Sequence, residues 1–180
     1  MKVIHTAIAG LFELEPNVFE DARGYFMESY KKEWFDAHVA PISFIQDNES
    51  KSTLGVLRGL HFQEGDYAQA KLVRVLQGEV LDVAVDLRKN SPSFGKHFKI
   101  ILDAQQRNQL WIPPGFAHGF ATLEDNTIFT YKCTDYYHPE SEGGILWNSP
   151  SLNIPWQLEN PVLSAKDEQL TDFAHFNSPF

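Results

Sequence analysis

The chain has 180 residues and a formal net charge of −9, with 43% hydrophobic and 13% aromatic residues. This is enough apolar chain for one domain with a core and too much for a disordered protein, and the acidic balance argues against a nucleic-acid or anionic-membrane partner. The single cysteine, Cys133, excludes an internal disulfide and suits a reducing cytoplasm, the expected location. Met1–His5 has no apolar stretch of signal-peptide length, and no run approaches the ~18 apolar residues of a membrane span.

In chain order, residues 1–30 hold short apolar runs broken at Glu15-Pro16-Asn17 and Asp21-Ala22-Arg23-Gly24, a pattern of strands and turns. Residues 31–38 read as a short helix, and 43–47 and 54–63 as strands. The strongest β signal runs from Lys71 to Arg88, two apolar arms flanking Gln77-Gly78-Glu79, which reads as a hairpin. In the second arm Val83, Val85 and Leu87 share one face, and Asp82, Ala84 and Asp86 the other. Further strands are expected at 97–102, 109–112, 117–123 and 127–134. The tail from 139 to 180, rich in Pro, Ser, Asn and Glu, is expected to wrap the outside with one short helix after Ser164. No internal repeat interrupts this order. Many short strands separated by Gly and Pro predict an all-β sandwich or barrel with a few short peripheral helices. One domain over 1–180 is expected, its core barrel spanning roughly 43–137, with the N-terminal strands and C-terminal wrap outside it.

Two segments carry candidate chemistry. Gly59-Leu60-His61-Phe62-Gln63 and Pro113-Pro114-Gly115-Phe116-Ala117-His118 each place a histidine in a β-like stretch, 57 residues apart. A closed β architecture brings such distant strands onto one pocket. The second segment reads P-x-G-x-x-H and resembles the second cupin motif. The first resembles the first cupin motif, except that its usual H-x-H is His61-x-Gln63. The resemblance selects a double-stranded β-helix, the cupin jelly roll. With a metal-ligating histidine replaced by Gln63, it implies acid–base chemistry and no bound metal.

Strand parity groups His61 with Gly59 and Gln63, His118 with Phe120 and Thr122, Tyr131 with Phe129 and Cys133, and Lys71 with Val73 and Val75. Each polar group has small or apolar neighbours on its face, so each could point inward, where it needs a hydrogen-bond partner. Each also has a plainer reading. His118 could be a satisfied core residue, Tyr131 a core aromatic, Lys71 a strand-edge charge and Arg23 a solvated turn residue. Ser164-Ala165-Lys166-Asp167 fits a capping box, with Ser164 as N-cap and Asp167 at N3. Arg58 has the opposite parity to His61. It would act from the other face, at a twist, or across a dimer interface.

Longer blocks resemble the dTDP-4-dehydrorhamnose 3,5-epimerase family over nearly the whole chain. They are 18–26, Gln46-Asp47-Asn48-Glu49-Ser50, 55–63, Ala70-Lys71-Leu72-Val73, 82–88, 112–120, Tyr131-Lys132-Cys133 and Ser164-Ala165-Lys166-Asp167. The resemblance implies a homodimer acting on a dTDP-4-keto-6-deoxy sugar, inverting carbons 3 and 5 without cofactor or metal. It implies His61 as base, Asp167 as its dyad carboxylate, Tyr131 as opposite-face acid and Lys71 at the enolate oxygen. By the same resemblance Arg23, Glu28, Gln46, Asn48, Arg58, Lys71, His118, Glu142 and Lys166 contact substrate. Glu64-Gly65-Asp66-Tyr67-Ala68-Gln69 departs from the proline-rich loop usual in the family. Alternatives are a single-carbon epimerase or ketoisomerase on a related sugar, a metal cupin, and a non-catalytic sugar-binding module.

Overall fold

Strands dominate because the chain alternates small, β-branched and aromatic residues between frequent turn residues. A computed structural model describes residues 1–180. Its strands are β1 (Lys2–His5), β2 (Phe12–Glu15), β3 (Val18–Asp21), β4 (Gly24–Met27), β5 (Gln46–Ser52), β6 (Leu57–Gln63) and β7 (Lys71–Gln77). They continue with β8 (Glu79–Asp86), β9 (His97–Asp103), β10 (Gln109–Ile112), β11 (Phe116–Thr122), β12 (Thr127–Cys133) and β13 (Glu142–Gly144). One α-helix, α1 (Lys32–His38), and four 3-10 turns complete the elements.

Six strands form one sheet in the order β1-β2-β10-β7-β12-β5, and five form a second in the order β13-β6-β11-β8-β9. Strands β3 and β4 pair separately as a hairpin. The space between the sheets is filled by Val73, Val75, Val80, Leu110, Phe120 and Phe129 among others. The outer face of the five-stranded sheet presents Leu57, Leu60, Leu81, Val83 and Val85, and the C-terminal wrap covers them with Ile145, Leu152 and Trp156. The outer face of the six-stranded sheet presents Leu14, Leu72 and Trp111, which Phe35 of α1 covers. Each fully buried side chain of this size contributes about 1.5–3 kcal/mol. Both faces of β8 are therefore buried, its odd residues under the wrap and its even residues toward the interior.

Several boundaries differ from the sequence expectation. The strand expected at 43–47 is β5, Gln46–Ser52, and that expected at 54–63 begins at Leu57. Gly55, at φ +86°, turns the chain between them, and β5 is polar on both faces, so it has no apolar alternation to read. The N-terminal strands, expected outside the barrel, extend the six-stranded sheet through pairing of β2 with β10. The helix expected after Ser164 is a single 3-10 turn, Asp167–Gln169, followed by another at Phe173–His175. Within the tail, Glu142–Gly144 pairs with β6 as β13. Its sequence has no β propensity, and the partner strand imposes the conformation.

Candidate active site

The inner face of the six-stranded sheet is a ladder of aligned rows. Gln46, Cys133 and Lys71 are register partners across β5, β12 and β7, followed by Asn48, Tyr131 and Val73, then Ser50, Phe129 and Val75. Polar groups cluster at one end of this face and apolar ones at the other. Facing them on the second sheet, His61 of β6 and His118 of β11 are direct register partners.

Between His118 and Phe120 the pairing slips. His118 faces His61, but Phe120 faces Arg58, so Gly59 and Leu60 together oppose Gly119. This β-bulge reverses strand parity on one side of itself, and it brings Arg58 and His61 into the same cavity. Only glycine fits at its centre: Gly59 has φ +118°, and a Cβ there would lie 2.5 Å from the Gly119 Cα. Arg58 is steadied by its Nε, which donates to Ser52 Oγ at 3.2 Å.

The cavity measures about 450 Å³, and its walls include Arg58, His61, Lys71, His118, Tyr131 and Asp167. His61 Nε2 donates to Asp167 Oδ1 at 2.5 Å, which leaves Nδ1 with the imidazole lone pair. Asp167 is 3% exposed. Burial raises its pKa, but hydrogen bonding and charge from His61, with further bonds from Ser164 and the Gly59 amide, hold the carboxyl below its ordinary value. Half of the capping box forms, with Ser164 Oγ accepting from the Asp167 amide, while the Asp167 carboxylate turns to His61. His118 Nε2 donates to Asp82 Oδ2 at 2.9 Å. Asp82 is fully buried, and its Oδ1 has no partner. Burial drives the Lys71 ammonium pKa down, with Cys133, Asp82 and Glu142 pulling it back. Burial likewise raises the Tyr131 phenol, while Arg58 opposes. Lys71 Nζ lies 5.8 Å from the Tyr131 ring centroid.

A second cavity of about 370 Å³ shares His61, Lys71 and Tyr131 with the first and is walled by Gln46, Asn48, Tyr137 and Glu142. Glu142 Oε2 accepts from the Tyr137 hydroxyl at 2.6 Å and pairs with Lys166. Burial raises the Glu142 carboxyl, and Lys166 and Tyr137 more than offset this, so it lies below the ordinary range. Gln46 Nε2 donates to Asn48 Oδ1 at 3.0 Å.

Ten of the twelve residues singled out from the sequence thus line one or both cavities: Gln46, Asn48, Arg58, His61, Lys71, His118, Tyr131, Glu142, Lys166 and Asp167. Arg23 and Glu28 do not. Arg23 sits at the tip of the β3–β4 hairpin, its side chain 90% exposed and paired with Asp21, and Glu28 lines a separate hollow with Met1, Phe19 and Trp34. The sequence reading missed Tyr137, which lies in an aperiodic loop, and Asp82, whose inward parity with Ala84 was its only signal. No group of three or more His, Cys, Asp or Glu side chains is arranged to hold a metal ion.

A family model described as dTDP-4-dehydrorhamnose 3,5-epimerase matches residues 5–175. The chain belongs to that epimerase family. It is 54% identical over 173 residues to the dTDP-4-dehydrorhamnose 3,5-epimerase of Escherichia coli K12, covering 94% of this chain and 93% of that protein. Among solved structures it resembles a Legionella pneumophila epimerase in complex with dTDP-4-keto-L-rhamnose. That likeness has a TM-score of 0.94 and 46% identity, covering 98% of this chain and 94% of that one. It also resembles a 3'-monoepimerase from Streptomyces bikiniensis in complex with dTDP-quinovose, with a TM-score of 0.88 and 32% identity over 94% of this chain and 86% of that one. The fold is the cupin jelly roll that the two histidine segments implied, and the chain is an isomerase of the epimerase type.

Proposed function

We propose that the protein converts dTDP-4-dehydro-6-deoxy-D-glucose to dTDP-4-dehydro-L-rhamnose by inverting carbons 3 and 5, in dTDP-L-rhamnose biosynthesis. The observation that carries this reading is the placement of His61 and Tyr131 on opposite sheets of one cavity, with Lys71 beside Tyr131. Both carbons are α to the 4-keto group. Removal of either C–H proton leaves an enolate, and a proton returned from the other face inverts the centre. His61 takes the proton at Nδ1, and Asp167 orients the ring and stabilises the imidazolium. Lys71 meets the charge that develops on the 4-oxygen, where a fixed donor in a water-poor site has its largest effect. Tyr131 delivers the opposite-face proton. No redox step occurs, so no cofactor is invoked.

Arg58, His118, Gln46, Asn48, Glu142 and Lys166 hold the nucleotide sugar, with Arg suited to bidentate diphosphate contacts. Arg23 and Glu28 complete the set from a second copy. Support for this homodimer comes from the β3–β4 hairpin, which stands apart with Phe19, Tyr25 and Phe26 more than half exposed. Such exposed aromatics mark an association surface. The protein acts as one domain in the cytoplasm. Its single cysteine fits that location, and no helix is long and apolar enough to cross a membrane.

The test is proton exchange. Chelator-treated protein in deuterium oxide with dTDP-4-keto-6-deoxyglucose is expected to place deuterium at both carbons, read by NMR, and His61→Ala is expected to abolish it. Exchange at one carbon only would assign the chain to the single-carbon branch that the Streptomyces bikiniensis likeness represents. Exchange lost on chelation and restored by metal would overturn the mechanism.

A further inference from the structure

Gln63 occupies the position where the cupin motif resemblance expects a metal-ligating histidine, and both ends of its amide are engaged elsewhere. It is 5% exposed. Its Nε2 donates to Tyr67 O at 2.8 Å and to Tyr136 O at 3.0 Å, and its Oε1 accepts from His138 N at 2.7 Å. Gln69 adds a second grip, donating from Nε2 to Asp135 O at 2.7 Å and to Tyr136 O at 3.0 Å. The Tyr67 ring stacks on His138 with centroids 3.6 Å apart. Apart from the Gln63 bond to the Tyr67 carbonyl, these contacts converge on residues 135–138. This segment leaves the six-stranded sheet at the end of β12 and rejoins the five-stranded sheet at β13.

That crossing segment carries Tyr137, a wall of the second cavity. Tyr137 is fixed through its backbone amide to Gln46 Oε1 at 3.2 Å and through its hydroxyl to Glu142. We propose that Gln63, seconded by Gln69, is a positioning residue that clamps residues 135–138 and thereby sets affinity for the part of the substrate remote from the reacting carbons. The inference rests on the nucleotide-sugar reading above. A nucleotide sugar is longer than the hexose held between His61 and Tyr131, and the second cavity is contiguous with the first through those residues. A loosened wall there costs binding in ground and transition states alike, so it raises KM and leaves kcat nearly unchanged.

The experiment uses the full-length protein and Gln63→Met, which keeps length and loses both amide functions. Gln69→Met, at a less buried position, serves as the second variant if Gln63→Met folds poorly. Amide hydrogen exchange without ligand is expected to show faster exchange at 135–138 in Gln63→Met, where His138 N has lost its acceptor. The dissociation constant for dTDP and the KM for dTDP-4-keto-6-deoxyglucose are expected to rise about tenfold, as for loss of a buried hydrogen-bonded pair. The kcat is expected to stay within about threefold, and Gln69→Met to give a smaller change of the same sign. Unchanged exchange at 135–138, or a fall in kcat at constant KM, would overturn the clamp. Wild-type protein that neither binds dTDP nor turns over the sugar would overturn the nucleotide-sugar reading itself, and this proposal with it.

Discussion

The cavity holds two histidine–aspartate pairs on neighbouring strands, built differently. His61 and His118 are register partners, yet their side chains are 29% and 8% exposed. The partner of His61 arrives from 106 residues away on a 3-10 turn of the C-terminal wrap. The partner of His118 comes from β8, the adjacent strand of the same sheet. Asp167 accepts from His61 at Oδ1, and the neighbouring Ser164 and Gly59 amide help to hold its carboxyl below the ordinary value, whereas Asp82 has one oxygen with no partner. The same two functional groups thus yield a pair open to the cavity and a pair locked in the sheet. The accessibility of the histidine separates a proton-transfer pair from one that holds a wall in place.

Breaking the open pair should have the largest effect. His61→Ala is expected to lower kcat by about 10²–10⁴, and Asp167→Asn to fall in the same range because the imidazolium loses its charge partner. Steady-state kinetics with solvent exchange would measure both. A drop under tenfold for either would place the base elsewhere. Gly59→Ala attacks the bulge between the two pairs. Its positive φ and the clash with the Gly119 backbone are expected to cost roughly 2–5 kcal/mol of stability, measured by urea unfolding. Retained wild-type stability would show that the bulge relaxes freely. Asp82→Asn should be milder. Asn can still accept from His118 Nε2 and replaces an unpartnered oxygen by an unpartnered amide, so about 1–2 kcal/mol of stability and less than a tenfold change in kcat are expected. A kcat loss matching that of Asp167→Asn would make the two pairs equivalent and break the comparison.

How legible these pairs were differs in the same way. The all-β class, the strands on either side of Gln77-Gly78-Glu79 and the inward parity of His118 followed from period-2 patterning and glycine placement, because these are local signals. The jelly roll followed from the cupin resemblance. The hairpin expected at Gln77-Gly78-Glu79 does not form: β7 pairs with β10 and β12, and Gly78, at φ +82°, carries the chain across to the other sheet, where β8 pairs with β9 and β11. The His61–Asp167 contact was legible only as a resemblance. The residues between them carry no pattern that would dock the wrap on β6, and Ser164-x-x-Asp167 reads equally as a cap. Parity left three routes open for Arg58, and the bulge that brings it beside His61 is a one-residue change of register without its own composition, its trace being Gly59 alone. Gln63 acquires its role through backbone atoms of other segments, and Tyr137 is placed in its loop by Gln46 and Glu142; no periodic pattern encodes either.

A third buried carboxylate sharpens the comparison at lower amplitude. Asp86 lies on the same face of β8 as Asp82, on the other side of Ala84, the register partner of His118, and it is saturated. Arg88 grips both its oxygens and Ser91 and Ser93 donate to Oδ2. Burial pushes its pKa up, yet Arg88, the two hydroxyls and the Arg88 amide pull it down to about 2 from 3.8. A depressed carboxylate stabilises the fold fully above its unfolded value, near 3.8, and loses that contribution as pH falls through about 2. The shift corresponds to at most about 2.4 kcal/mol. Arg88 is 31% exposed and solvent screens its charge, so roughly 1–2 kcal/mol is expected. Urea unfolding of wild type and Asp86→Asn at pH 5 and pH 2 should therefore show the stability gap between them narrowing by that amount. A gap independent of pH would mean that Asp86 holds its loop by shape and neutral hydrogen bonds alone.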